Sequence, residues 1–123
     1  MGISVIIDTD IGTDVDDMWA LAFALRCPEL DIRLITTCTG DVEYRAALVA
    51  KLLEVAGRTD IPIGIGLPLD AAPKPQEAWI EDYQFDRYPG VVLKDGVGAI
   101  CDTVNQSKHP VTLIAIGPLP NVA

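Results

Sequence analysis

The chain has 123 residues, with 18 acids against 9 Lys and Arg for a net charge of -9, and half of its residues are apolar. That length suits one domain with a modest core, and the apolar share excludes a disordered polymer. The acidic excess disfavours nucleic-acid backbones and anionic membranes as partners.

In chain order, the opening Met-Gly-Ile-Ser lacks the basic stretch of a secretory signal. Ile6 stands where a myristoylation pattern wants Ser or Thr. Ile3 to Ile7 is a β-branched run ended by Asp8, as in a strand buried on both faces. It also falls well short of the roughly 20 apolar residues that a bilayer span needs. Met18, Leu21, Ala22 and Leu25 recur at helical spacing, with Pro28 marking the stop. Asp31 to Thr37 is a second strand. Glu43 to Ala56 is a helix with Ala46, Val49, Ala50, Leu53 and Ala56 on one face, and Gly57 stands at its left-handed cap. Ile61 to Ile65 is a short third strand whose proline suits its start or a sheet edge. Residues 67–90 hold four of the nine prolines and four of the seven aromatics without periodicity. Such a stretch reads as a functional loop or a disordered one. Asp95 caps a helix covering Val97, Ile100 and Val104, and Val111 to Ile116 is the fourth strand.

Strand-helix alternation with short connections implies an α/β fold: a Rossmann-like parallel half-sheet of order 3-2-1-4 flanked by helices. In such sheets ligands bind beyond the carboxyl ends of the strands where the order reverses, here between the first and the fourth. The turn after the first strand, Asp8-Thr9-Asp10-Ile11-Gly12-Thr13-Asp14-Val15-Asp16-Asp17, and the turn Gly117-Pro118-Leu119-Pro120-Asn121 both fall there. Three cysteines, Cys27, Cys38 and Cys101, have no CxxC spacing. They fit a reducing cytoplasm, as buried apolar filler rather than disulfides or a zinc site.

Five of the eighteen acids lie between Asp8 and Asp17. Hard cations such as calcium take six to eight oxygens, and carboxylates packed this closely repel one another without one. Asp10 and Asp17 can converge on one ion, with Gly12 folding the backbone between them. An EF-hand loop counted from Asp8 would need Gly at Thr13 and Glu at Trp19, and fails. A haloacid-dehalogenase-like phosphatase would use Asp8 as nucleophile, but its pattern wants Thr or Val where Gly12 stands. A run of capping and turn acids without ligand is a further alternative, although caps use Asp singly. Gly96-Val97-Gly98 lacks the third glycine of a dinucleotide fingerprint. His109, the only histidine, lies at the opposite end of its strand and reads as solvent-exposed.

The combination of Asp8-x-Asp10-x-Gly12 leading to Asp16-Asp17, Thr39-Gly40-Asp41 after the second strand, and Ile116-Gly117-Pro118-Leu119-x-Asn121 after the fourth resembles the inosine-uridine-type nucleoside hydrolases. The resemblance implies hydrolysis of the N-glycosidic bond of a ribonucleoside to free base and ribose, a step of purine and pyrimidine salvage. It implies Ca2+, with Asp10 as ligand and as the general base that activates a calcium-bound water. Asp17 would be the bidentate ligand, and the Pro120 carbonyl a further one. Asp16 and Asp41 would contact ribose, and Asp8 and Asp14 would support the loop. Trp79, in the aromatic-rich stretch, would border the base in a mobile flap; a satellite core for Trp79, Tyr83, Phe85 and Tyr88 is the alternative. The chain departs from the family where Thr13-Asp14-Val15 lengthen the acidic turn, where Asp41 replaces a frequent Asn, and where Pro120 replaces a usual Thr. Proline keeps the carbonyl that would serve as ligand.

Family chains run to roughly 300 residues, near the upper size of single domains. Their second half supplies a further calcium-binding Asp and an adjoining His that serves the leaving base, and neither has a counterpart here. Residues 1–123 therefore read as a single, incomplete nucleoside-hydrolase-like domain, expected to form a homo-oligomer or to bind a partner supplying the missing half. A non-catalytic calcium-binding or assembly module is the remaining reading.

Overall fold

The structure is a computed structural model and describes residues 2–123. Its elements are β1 (Ile3–Thr9), α1 (Asp16–Leu25), β2 (Leu30–Thr37), α2 (Val42–Ala56), β3 (Ile63–Ile65), β4 (Val92–Leu93), α3 (Gly96–Gln106) and β5 (Thr112–Ala115). All strand pairs are parallel, in the order β4-β3-β2-β1-β5. The expected order of the four longer strands holds, and β4 extends it at the β3 edge. A two-residue strand carries no period-2 signal, so Val92–Leu93 is invisible to pattern reading.

The strands alternate their faces as the pleat requires. Val5 and Ile7 of β1 join the larger core, built with Leu21 and Ala24 of α1 and Ala46, Val49, Ala50 and Leu53 of α2. Ile6 faces the smaller core, with Leu34, Ala99 and Ile100. Helices α1 and α2 thus cover one face and α3 the other. A register shift between Val5 and Ile6 passes over Arg33 in β2, which lets Ile32 and Ile35 share a face despite their odd spacing.

Asp95 accepts a hydrogen bond from the Gly98 N–H at the start of α3, and Gly57 ends α2 with φ 69°. Two details differ from the periodic reading. Ala56 is exposed because it lies at the last turn of α2, beyond the sheet's cover, and the third strand begins at Ile63 rather than Ile61. Of the cysteines only Cys38 is buried, while Cys27 is half-buried and Cys101 exposed, because Cys101 faces outward on α3.

Residues 67–90 contain two short 3-10 turns, Glu77–Ile80 and Phe85–Arg87. Tyr88 is buried in the larger core, with Ile80, Tyr83 and Phe85 packed against it. Area burial outweighs other terms for aromatic rings, and for Tyr83, Phe85 and Tyr88 the satellite-core reading replaces the flap. No helix among the described residues is long and apolar enough to cross a membrane.

Candidate active site

The acidic turn begins where β1 ends, and the Thr9 hydroxyl organises it. Thr9 Oγ1 donates to Asp17 Oδ2 at 2.6 Å and accepts from the Ile11 N–H at 3.0 Å. The Asp10 N–H donates to the same Asp17 oxygen at 3.2 Å. Gly12 turns the chain with φ 111°, and a Cβ there would lie 2.6 Å from Leu48 and 2.8 Å from Tyr44. Only glycine meets both demands. Asp17 is buried in the first turn of α1. Burial pushes its carboxyl up to about 6 against the Thr9 hydrogen bond, and the neighbouring Asp10 and Asp16 push the same way.

Asp8 is fully buried, register-paired with Thr36 on one side and Ala115 on the other. Its Oδ1 accepts from Thr36 Oγ1 at 2.5 Å and from Asn121 Nδ2 at 2.8 Å, whereas Oδ2 has no partner among the described residues. Asn121 also donates to the Thr37 carbonyl at 3.0 Å and accepts from the Leu67 N–H at 2.8 Å. The 117–121 turn therefore lies against the acidic turn, and a Cβ on Gly117 would stand 3.0 Å from Asp10 N. Half-buried Pro120 sits in this turn, which the Cys38 thiol secures by donating to the Pro118 carbonyl at 3.4 Å.

Asp41 caps α2, accepting from the Tyr44 N–H at 2.9 Å, and its other oxygen lies 3.6 Å from Lys74 Nζ. Before it, Thr39 and Gly40 adopt φ of 68° and 67°. Asp14 and Asp16 are exposed, and the Asp14 carbonyl accepts from Gln76 Nε2 at 3.0 Å. Trp79 stands apart from this group. Lys51 Nζ lies 4.7 Å from its ring centroid and donates to its carbonyl. Lys51 is ten residues along α2 from the Asp41 cap, about 15 Å at the helical rise.

Two side chains that the periodic reading passed over hold the loops together. Tyr44 donates its hydroxyl to the Gly12 carbonyl at 2.7 Å and accepts from the Gln76 N–H at 3.0 Å. Arg45, fully buried, donates to the carbonyls of Asp10, Ile11 and Thr39. The available signal was Arg45 itself, a lone cation four and eight residues before Val49 and Leu53 in an apolar stripe.

Among the described residues no three His, Cys, Asp or Glu side chains are arranged to hold a metal. A cation here would rest on two carboxylates, Asp10 and Asp17, and complete its shell with carbonyl and other oxygens. Two observations fit that donor set: the unpartnered buried oxygen of Asp8 and the upward push on Asp17. The first is a carboxylate oxygen left without a donor, the second reflects burial beside neighbouring acids, and an all-oxygen set suits a hard ion. Asp8 cannot act as a phosphatase nucleophile, because it is fully buried and one oxygen is already bonded by two donors.

A carboxylate cluster thus stands at the carboxyl end of a parallel sheet where the strand order reverses, the place at which α/β folds bind their ligands. The chain belongs to the inosine-uridine preferring nucleoside hydrolase family, whose profile matches residues 5–123. It is 38% identical over 133 residues to the non-specific ribonucleoside hydrolase RihC of Klebsiella pneumoniae, covering 100% of this chain and 43% of that one. It is 40% identical over 129 residues to RihC of Salmonella paratyphi B, covering 97% and 41%. Among solved structures it is similar to a plant nucleoside hydrolase, PpNRh1. The TM-score is 0.75 at 29% identity, over 99% of this chain and 42% of that one. The chain thus spans less than half the length of the relatives it matches.

Proposed function

We propose that this chain forms the metal- and ribose-binding part of an enzyme that hydrolyses the N-glycosidic bond of ribonucleosides to free base and ribose, with Ca2+ as its ion. The observation that carries the reading is the meeting of Asp10 and Asp17 beside the 117–121 turn, above a buried Asp8 with an unpartnered oxygen. When bound, the cation supplies a fixed positive charge that orients hydroxyls and acidifies water.

Half-buried Asp10 takes the proton of the attacking water. Its backbone is fixed by Asp17 on one side and by Arg45 on the other. Asp17, held through one oxygen by Thr9, offers a preoriented carboxylate to the ion. The Pro120 carbonyl, in the turn packed against Asp10, adds a neutral oxygen. Exposed Asp16, at the start of α1, accepts hydrogen bonds from ribose hydroxyls, and so does exposed Asp41, the cap of α2, through the oxygen that now faces Lys74. Asp8 stays buried and braces β1 against β2 and Asn121. The transition state is an oxocarbenium-like ribosyl cation, and preplaced carboxylates stabilise its charge. Trp79 is the aromatic nearest in sequence to Gln76, which touches the acidic turn, and a base contact there requires the segment to shift from Lys51. The three free cysteines fit a reducing compartment such as the cytoplasm.

Calorimetric titration with calcium tests the reading on the chain as it stands. Wild type binds, and Asp17→Asn loses affinity by at least an order of magnitude; equal affinities would count decisively against the site.

A further inference from the structure

We propose that Arg45 is a positioning residue that fixes the cation-binding geometry of Asp10 by clamping together the loops after β1 and β2. The inference rests on the cation site proposed above.

Arg45 is 1% exposed. Its Nη1 donates to the carbonyls of Asp10 at 2.5 Å and Ile11 at 2.9 Å, and its Nε to the carbonyl of Thr39 at 2.6 Å. Among the described residues it forms no ion pair with a carboxylate. It also sits in the first turn of α2, where the helix dipole disfavours a cation. A guanidinium buried there is costly, and packing alone would be served by an apolar side chain.

The clamp has a geometric consequence that only a fork can supply. One nitrogen holds two successive carbonyls of the acidic turn, and another holds the carbonyl of Thr39, a β-branched residue at φ 68°. That backbone conformation is strained for threonine and persists only where the surroundings enforce it. Among the described residues the buried Thr39 hydroxyl has no partner, and beside Arg45 the loop is held by the Thr39 N–H on the Leu67 carbonyl at 2.9 Å and the Cys38 N–H on the Thr9 carbonyl at 3.1 Å. Arg45 therefore sets the separation between Asp10 and the Thr39-Gly40-Asp41 turn, and with it the placement of both acids. Its charge also lies beside a turn crowded with carboxylates. Lysine would keep that charge but not the fork.

The test is calcium titration of the full chain by calorimetry, for wild type, Arg45→Lys and Arg45→Met, alongside melting curves without calcium. Residues that orient metal ligands typically cost 10–100-fold in affinity when changed. Arg45→Lys should accordingly lose on the order of tenfold or more, beyond any loss in melting temperature. If the variants do not fold, wild type decides the question by NMR. The Arg45 Nε–H and the amides of Thr39 and Gly40 should then shift with calcium in step with Asp10 and Asp17. Wild-type affinity in Arg45→Lys would overturn the inference, as would an Arg45 signal that ignores bound calcium. Absence of calcium binding by wild type would instead overturn the cation site itself.

Discussion

At the scale of single residues, Asn121 shows how one amide can join three elements. It bonds Asp8 on β1, the Thr37 carbonyl at the end of β2 and the Leu67 N–H beyond β3. Asn121→Ala leaves those buried groups short of partners, and an unsatisfied buried polar group costs about 1–3 kcal/mol. A loss of that size is expected in chemical denaturation; an unchanged midpoint would show that water replaces the amide. Cys38 gives a second prediction. Burial, followed by the nearby Asp8 charge, pushes its thiol up to about 12, and its side chain is fully enclosed. A thiol reagent at neutral pH should label exposed Cys101 quickly and Cys38 only on unfolding, as mass spectrometry of digested protein would show. The acidic turn was legible in the sequence because five acids in one short stretch fit no structural habit. Arg45 and Tyr44 were not, because helical periodicity assigns a residue to a face without saying which carbonyls that face meets.

At the scale of elements, the strands and helices with strong periodicity were legible, and the boundaries moved by a residue or two. The segment between β3 and β4 was not legible, since its order comes from tertiary packing of Tyr83, Phe85 and Tyr88 rather than from a repeat. That packing has a pH signature. Burial first, then the negative charge of Glu54 and Asp60, pushes the Tyr88 phenol up to about 12, and burial also raises Tyr83. The fold disfavours the phenolate, so this contribution is complete below the ordinary tyrosine value of about 10. It is lost as pH rises from there toward about 12. Denaturation midpoints should fall across that window, and the fall should be shallower in Tyr83→Phe/Tyr88→Phe. An identical decline in the double variant would place the alkaline sensitivity elsewhere.

At the scale of the whole molecule, the sheet edge at β5 is open among the described residues. There β5 pairs only with β1, its Thr112 and Ala115 are exposed, and Leu113 and Ile114 are half-buried. Val15, Trp19 and Phe23 add an apolar stripe along α1, 63%, 73% and 72% exposed. An edge strand with open N–H and C=O groups recruits further strands, and natural sheets block this with lysine, proline or a covering element. None of those stands on β5. The relatives carry more than half of their length beyond the matched region, so their sheet edge has sequence available to cover it. The 123-residue chain expressed alone is therefore expected to self-associate, with a scattering mass that rises with concentration. Thr112→Lys should reduce that rise by placing a charge on the open edge. The same preparation should release base from inosine or uridine at least on the order of a hundredfold more slowly than a full-length relative. The resemblance assigns a further ligand and a leaving-group acid to the second half of the family chain, and losing such a group costs about that much. Light scattering and the release assay on protein of verified mass decide the matter together. A monodisperse monomer that turns over nucleoside at the full-length rate would show that these residues suffice, and that the open edge of β5 is harmless.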